Sequence, residues 1–188
     1  MRFFVPLVAL ALVGCNTLDE IVNEAPDNPG PCPSALTLYD AHRIVELEGS
    51  GIDVAQVGFT GEINGVRSLC RYFETAPINA NLEIEFGFGR GPAAEGYEHT
   101  YQYFVAVTRR DNVVIHREDF PITVRFEPGE DRVFVTETIN RITIPRATET
   151  TSGSNFEIIV GFVLTPEQIA WNRTGQRYRV NAGQQDQD

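Results

Sequence analysis

From residue 35 to residue 164 the apolar positions recur every second residue. In the run 81–88, Leu82, Ile84, Phe86 and Phe88 share one side of an extended chain, and Asn81, Glu83, Glu85 and Gly87 share the other. That is the pattern of a half-buried strand, because successive strand side chains point to opposite faces. The same alternation sets Tyr101, Tyr103, Val105 and Val107 against Gln102, Phe104, Ala106 and Thr108. It picks out Ile122, Val124 and Phe126, and then Phe156, Ile158, Val160, Phe162 and Leu164. An earlier run offers Val57, Phe59 and Ile63, with Gly61 interrupting it as a bulge. Asn64-Gly65, Arg110-Asp111-Asn112, Pro128-Gly129 and Ser152-Gly153 carry turn chemistry between these runs. The spacing predicts seven to nine strands with no helix between them, hence an antiparallel sandwich or barrel.

Two segments break the period of two. Thr165-Pro166-Glu167-Gln168 combines an N-cap hydroxyl, a proline at N1, an acid at the positive helix end and a glutamine at N3. It predicts a short helix to about Asn172, stapled by Leu164 and Ile169 and closing one end of the sandwich with Ile169 and Trp171. The other segment is the start, MRFFVPLVALALVGCN. Its apolar run of 12 residues is too short for a bilayer, which takes about 20. It has the length of a signal-peptide core. Leu12-Val13-Gly14-Cys15 resembles the lipobox of bacterial lipoproteins. The resemblance implies removal of residues 1–14 as a signal peptide and a diacylglycerol and palmitate-type modification of Cys15. Two or more acyl chains hold a protein at a membrane almost permanently. Asn16, where an Asp would favour inner-membrane retention, points to the outer membrane.

Composition sharpens this organisation. Residues 15–31 are polar, acidic and proline-rich, and read as the lipidated N-terminus and a tether. Residues 32–180 form the sandwich domain, and 181–188 a disordered polar tail. With Cys15 taken by lipid, Cys32 and Cys70 remain in an oxidising compartment and pair as a disulfide. The chain has 26 acids against 15 bases, for a net charge of −11. All the bases are arginine, which reflects coding bias rather than chemistry. This balance argues against nucleic acid, which needs a basic stripe, and against a surface that hugs anionic lipid.

The stretches CPSALTLYDAHRIVELEG, VGFTGEINGVRSLCRY, YFVAVTRRDNVV, FPITVRFEPGEDRV and VGFVLTPEQIAWNR resemble a group of short alphaproteobacterial lipoproteins. The resemblance implies a location and a shape, a single immunoglobulin-like or fibronectin-III-like antiparallel β-sandwich, but no reactive site. The chain departs from immunoglobulin domains in having no tryptophan between its paired cysteines.

The search for chemistry returns little. There is no Gly-x-Ser-x-Gly elbow and no HExxH, and the three histidines His42, His99 and His116 are far apart. Asp40 and His42 share a face of an expected strand, two ligands without a third. Glu83 and Glu85 share an outward face and read as a solvated edge rather than a glycosidase pair. Gly87-Phe88-Gly89-Arg90-Gly91 lacks the helix and lysine of a phosphate loop and reads as a strand exit. Arg90, Tyr97 and His99 are the candidate ligand-binding residues, since aromatics beside an arginine suit a sugar or protein contact. Tyr101 and Tyr103 belong to the core. The expectation is therefore a non-enzymatic, lipid-anchored envelope protein without cofactor or metal, on the periplasmic face of the outer membrane. Its expected partners are the membrane, through lipid, and another envelope protein. The competing expectation is a small-ligand or glycan binder, or a hydrolase, using residues 90–99.

Overall fold

The computed structural model describes residues 30–49, 53–111 and 113–175. The signal peptide 1–14, Cys15, the tether up to residue 29 and the tail 181–188 lie outside the described residues.

Eight strands form two four-stranded sheets. They are β1 (Ser34–Thr37), β2 (Arg43–Leu47), β3 (Val57–Arg71), β4 (Ile78–Arg90), β5 (Glu98–Arg109), β6 (Val114–Arg125), β7 (Arg132–Ile144) and β8 (Phe156–Phe162). One sheet runs β1-β8-β5-β6 and the other β2-β3-β4-β7. All pairings are antiparallel except β1 with β8. The expected all-β sandwich is present, with one short helix after it. Its connectivity is distinctive: the last two strands fall in different sheets, whereas the last two of an immunoglobulin domain share one.

The alternation read from the sequence becomes the core. Leu82, Ile84, Phe86 and Phe88 are buried, as are Tyr101, Tyr103, Val105 and Val107 from the facing sheet. Their rings interlock: Phe86 meets Tyr103 with centroids 5.1 Å apart, and Phe88 stacks on Tyr101 at 4.5 Å. Such contacts add to area burial because ring edges and faces carry opposite partial charge. Phe104 and Ala106 do point away from this core, but they are buried too. The segment around Ala41 covers that outer face of β5. Gly161 lets it approach, since a Cβ there would lie 2.9 Å from the Ala41 methyl.

The main departure from expectation concerns Asn64-Gly65. These residues make no turn. They lie inside β3, which runs 15 residues. Ile63 pairs with Phe86 and Gly65 with Glu85, so Asn64 is the extra residue of a bulge. The bulge is here and not at Gly61. Before it, Val57, Phe59, Gly61 and Ile63 face inward; after it, Val66, Ser68 and Cys70 do. Leu69, on the other phase, is exposed. Gly61 keeps its place in the inward set because the rings opposite fill the space: a Cβ would lie 2.9 Å from Phe162 and 3.2 Å from Phe88. β7 does the same on the other side of β4, with a register shift between Ile139 and Ile142 and Arg141 at φ 66°.

The phase change presents Cys70 to Cys32, and the two form the expected disulfide, with Cα atoms 5.6 Å apart. Neighbouring contacts fasten the same segment. Ser68 donates its hydroxyl proton to the Pro33 carbonyl at 3.0 Å, and Tyr72 donates to the Pro31 carbonyl at 3.0 Å. The Tyr72 oxygen in turn accepts the Gly153 N–H at 3.0 Å.

The helix α1 (Pro166–Arg173) carries the capping box read from the sequence, with reciprocal bonds between Thr165 and Gln168. Ile169 and Trp171 are half-buried on it, Trp171 beside Val45 and Leu47 of β2. Asn172 also holds it, donating to the Asp40 and Arg43 carbonyls at 2.8 and 2.9 Å, while Arg173 pairs with Asp40 at 2.7 Å.

Two stability effects are expected. Gly61→Ala should destabilise by about 1–3 kcal/mol, because the added methyl enters filled space; urea unfolding measures it, and an unchanged midpoint would contradict the packing. Replacing both Cys32 and Cys70 by serine should cost about 3–4 kcal/mol through the freed loop, read by the same unfolding curves.

Candidate functional site

Arg90 is the last residue of β4, and the loop 91–97 crosses from it to the other sheet. The Arg90 guanidinium donates to the Gly96 carbonyl at 2.7 Å and the Ala94 carbonyl at 3.2 Å, and sits 4.6 Å above the Tyr97 ring. Gly96 takes φ 82°, which suits glycine. Gly91 is needed for close approach: a Cβ would lie 2.1 Å from the Val57 carbonyl oxygen. Gly87 and Gly89 are paired strand residues. The glycine-rich run is therefore the end of a strand packed against its neighbour. Arg90 and Tyr97 come together as expected, but Arg90 uses Nε and Nη2 to tie its own loop.

His99 goes elsewhere. Its ring stacks on Phe59 at 4.3 Å and meets Tyr101 edge-on at 4.5 Å. Its Nε2 lies 3.0 Å from a Glu46 carboxylate oxygen on β2. It thus links the two sheets at their helix end.

The remaining sequence candidates resolve in the same direction. Asp40 and His42 are not on a strand: residues 39–41 form a 3-10 turn, where Asp40 meets Arg173 and His42 turns its Nδ1 to the Tyr39 carbonyl. Glu83 and Glu85 do share the outward face, and both pair with Arg67. That pairing raises the Arg67 pKa, chiefly through its bond to Glu83. Among the described residues, no group of three or more His, Cys, Asp or Glu is placed to hold a metal ion.

Clefts among the described residues include three on the sandwich surface. One of about 530 Å³ opens between edge strands β6 and β7 over Val105, Val107, Ile139 and Ile142. A second, of about 740 Å³, lies beside Cys32 and Leu69. A third, of about 460 Å³, lies between β2 and α1 near Glu46, Glu167 and Trp171. None is lined by Arg90, Tyr97 or His99.

One cluster escaped the sequence reading. In the loop after β7, the Arg146 guanidinium donates to the carbonyls of Thr151 at 2.7 Å, Glu74 at 2.7 Å and Ala76 at 3.0 Å, and also to that of Glu149. It lies 4.8 Å over the Tyr72 ring. No sequence signal distinguishes Arg146 from any other loop arginine; its role exists only once its own loop meets the β3–β4 loop. These contacts define an all-β sandwich whose two ends are each tied by an arginine holding carbonyls over a tyrosine. Compared with known proteins, the chain matches no family model, no curated protein and no solved structure.

Burial raises the Tyr101 pKa strongly, with Glu46 adding to it, and pushes Tyr103 up to about 12, with Glu137 adding. The folded state keeps these protons where the unfolded chain, at its ordinary value of about 10, has lost them. The stabilisation is complete below pH about 10 and lost as pH rises towards 12. Melting temperature should fall across that window, and tyrosinate absorbance from the pair should appear together with unfolding. Replacing both tyrosines by phenylalanine should flatten the fall; an equally steep fall would rule out this cause.

Proposed function

We propose that this chain is a lipid-anchored envelope protein, acylated at Cys15, that serves as a non-enzymatic structural or protein-interaction module on the periplasmic face of the outer membrane. Its resemblance to short alphaproteobacterial lipoproteins belongs to the same reading. The observation that carries it is how the domain receives the upstream chain. Residues 31–33 are held by the disulfide, the Tyr72 hydroxyl and the Ser68 hydroxyl. A pull arriving along a tether meets a covalent bond two residues after Gly30, before it reaches the short strand β1. Such a fastening suits a domain loaded through its N-terminus. No helix among the described residues is long and apolar enough to cross a membrane, so under this reading attachment falls to the lipid. The ligand-binding alternative at residues 90–99 has less support, because two of the three Arg90 guanidinium nitrogens already hold carbonyls of its own loop.

Globomycin, which blocks the lipoprotein signal peptidase, should accumulate the uncut precursor, and Cys15→Ser should move the protein out of the membrane fraction. Crosslinking in intact cells should recover a reproducible envelope protein. A bare Cys15 thiol on an intact leader would remove the anchor, and consistent absence of a crosslinked partner would remove the interaction role.

A further inference from the structure

The two ends of the sandwich differ in charge. The helix end, formed by residues 38–48, 53–62, 90–98, 125–132 and 165–173, holds eleven carboxylates against five arginines. The opposite end, formed by 30–34, 71–78, 109–111, 113–114 and 145–157, holds four of each. The whole-chain charge of −11 argues against contact with anionic lipid, but it is unevenly spread. A 13-residue strand such as β4 separates the ends by roughly 40 Å, several times the Debye length of about 8 Å at physiological salt. An anionic surface at the balanced end is therefore screened from the acidic one.

That balanced end is also where the upstream chain joins. Gly30 packs against Ser152, and Tyr72 ties Pro31 to Gly153. The β5–β6 hairpin stands beside it, joined through the Arg110 N–H to the Asn155 carbonyl at 3.1 Å. The hairpin leaves Val113 51% and Val114 59% exposed, and Phe73 on the β3–β4 loop, at the same end of the sandwich, is 40% exposed. Arg71, Arg109 and Arg110 lie within a few residues of these apolar groups along the chain, as do Glu74 and Asp111, and none of these five side chains forms an ion pair with a described residue. Exposed apolar side chains with unpaired guanidinium groups on neighbouring residues are the elements of an interfacial contact. The apolar groups enter the headgroup boundary, and each arginine near an anionic surface strengthens association by roughly fivefold.

We infer that the end bearing Phe73, Val113, Val114, Arg109 and Arg110 is a bilayer-contact surface that rests on anionic lipid headgroups. It rests on the anchoring reading in that the tether holds this end at the membrane. The sandwich then stands upright, with the acidic helix end and α1 pointing away from the lipid.

The chain's single tryptophan, Trp171, lies at the helix end and supplies the control. The full chain, purified in detergent from bacterial membranes, is reconstituted into vesicles of phosphatidylglycerol and phosphatidylcholine containing brominated lipid. Quenching is compared between the wild type and a Val114→Trp, Trp171→Phe variant. The tryptophan at 114 should be quenched at least about threefold more than Trp171, as expected for a group in the headgroup layer. Adding Arg109→Glu and Arg110→Glu should remove the excess without altering the circular dichroism melt. Equal quenching at the two positions, or no flotation with the vesicles at all, would overturn the surface. Mass spectrometry of Cys15 in the same sample reports on the anchor separately: a bare thiol with residue 114 still quenched removes the anchor and leaves the surface.

Discussion

Strand β4 is the ruler of this domain. It alternates without interruption from Ile78 to Phe88, and its six inward side chains are buried. Neither neighbour matches it over the full length. β3 inserts Asn64 and β7 inserts a residue around Asn140 and Arg141, so each shifts phase midway and keeps its apolar set against the core. A one-residue slip would otherwise turn half of each strand inside out. The consequences reach beyond packing. Only with the shift in β3 does Cys70 face Cys32, and only then does Tyr72, two residues on, reach Pro31 and Gly153. The attachment of the leading segment is thus a product of a bulge in the opposite sheet.

The ends of the sandwich are closed by a shared device. Four connections cross between sheets, after β1, β4, β6 and β7, and their backbone carbonyls need donors. Arg90 serves Gly96 and Ala94 at one end; Arg146 serves four carbonyls at the other. Each guanidinium lies over a tyrosine ring, Tyr97 or Tyr72. A planar fork of five donors can satisfy several carbonyls at once, which a lysine ammonium does less well. The all-arginine composition, whatever its origin, is put to structural use at these two places.

These closures bear on the proposed function. The side chains that looked most reactive in isolation are engaged in holding the fold: Arg90 on its own loop, His99 between Phe59 and Glu46, Asp40 against the helix, and Glu83 and Glu85 on Arg67. What stays exposed is a charge-balanced end carrying apolar hairpin residues, an acidic end carrying Leu38, Tyr39 and Val54, and Leu69 and Phe134 on the outer face of the second sheet. We read this as a body that is positioned rather than one that reacts. In that reading the anchor and the hairpin set its stance at the bilayer, and the acidic end is offered to partners.

Local patterning determined much of the fold. The buried faces of β4, β5 and β8 follow from alternation alone, because strand geometry gives side chains a period of two whatever the partner. The capping box of α1 is equally local, since its bonds span three residues. The pairing of Cys32 with Cys70 was legible once Cys15 was read as part of a lipobox-like leader. Other features depended on what lies across the sheet. Asn64-Gly65 has hairpin chemistry, and only the register against Phe86 and Glu85 makes it a bulge. Phe104 and Ala106 were outward by parity, and the turn at Ala41 covers them. Arg146 became a hub only when its own loop and the β3–β4 loop, some 70 residues earlier in the chain, met around it. Short-range geometry dictates which face a side chain takes. Which neighbour that face then meets is set by chain segments tens of residues away, and only the tertiary structure brings them together.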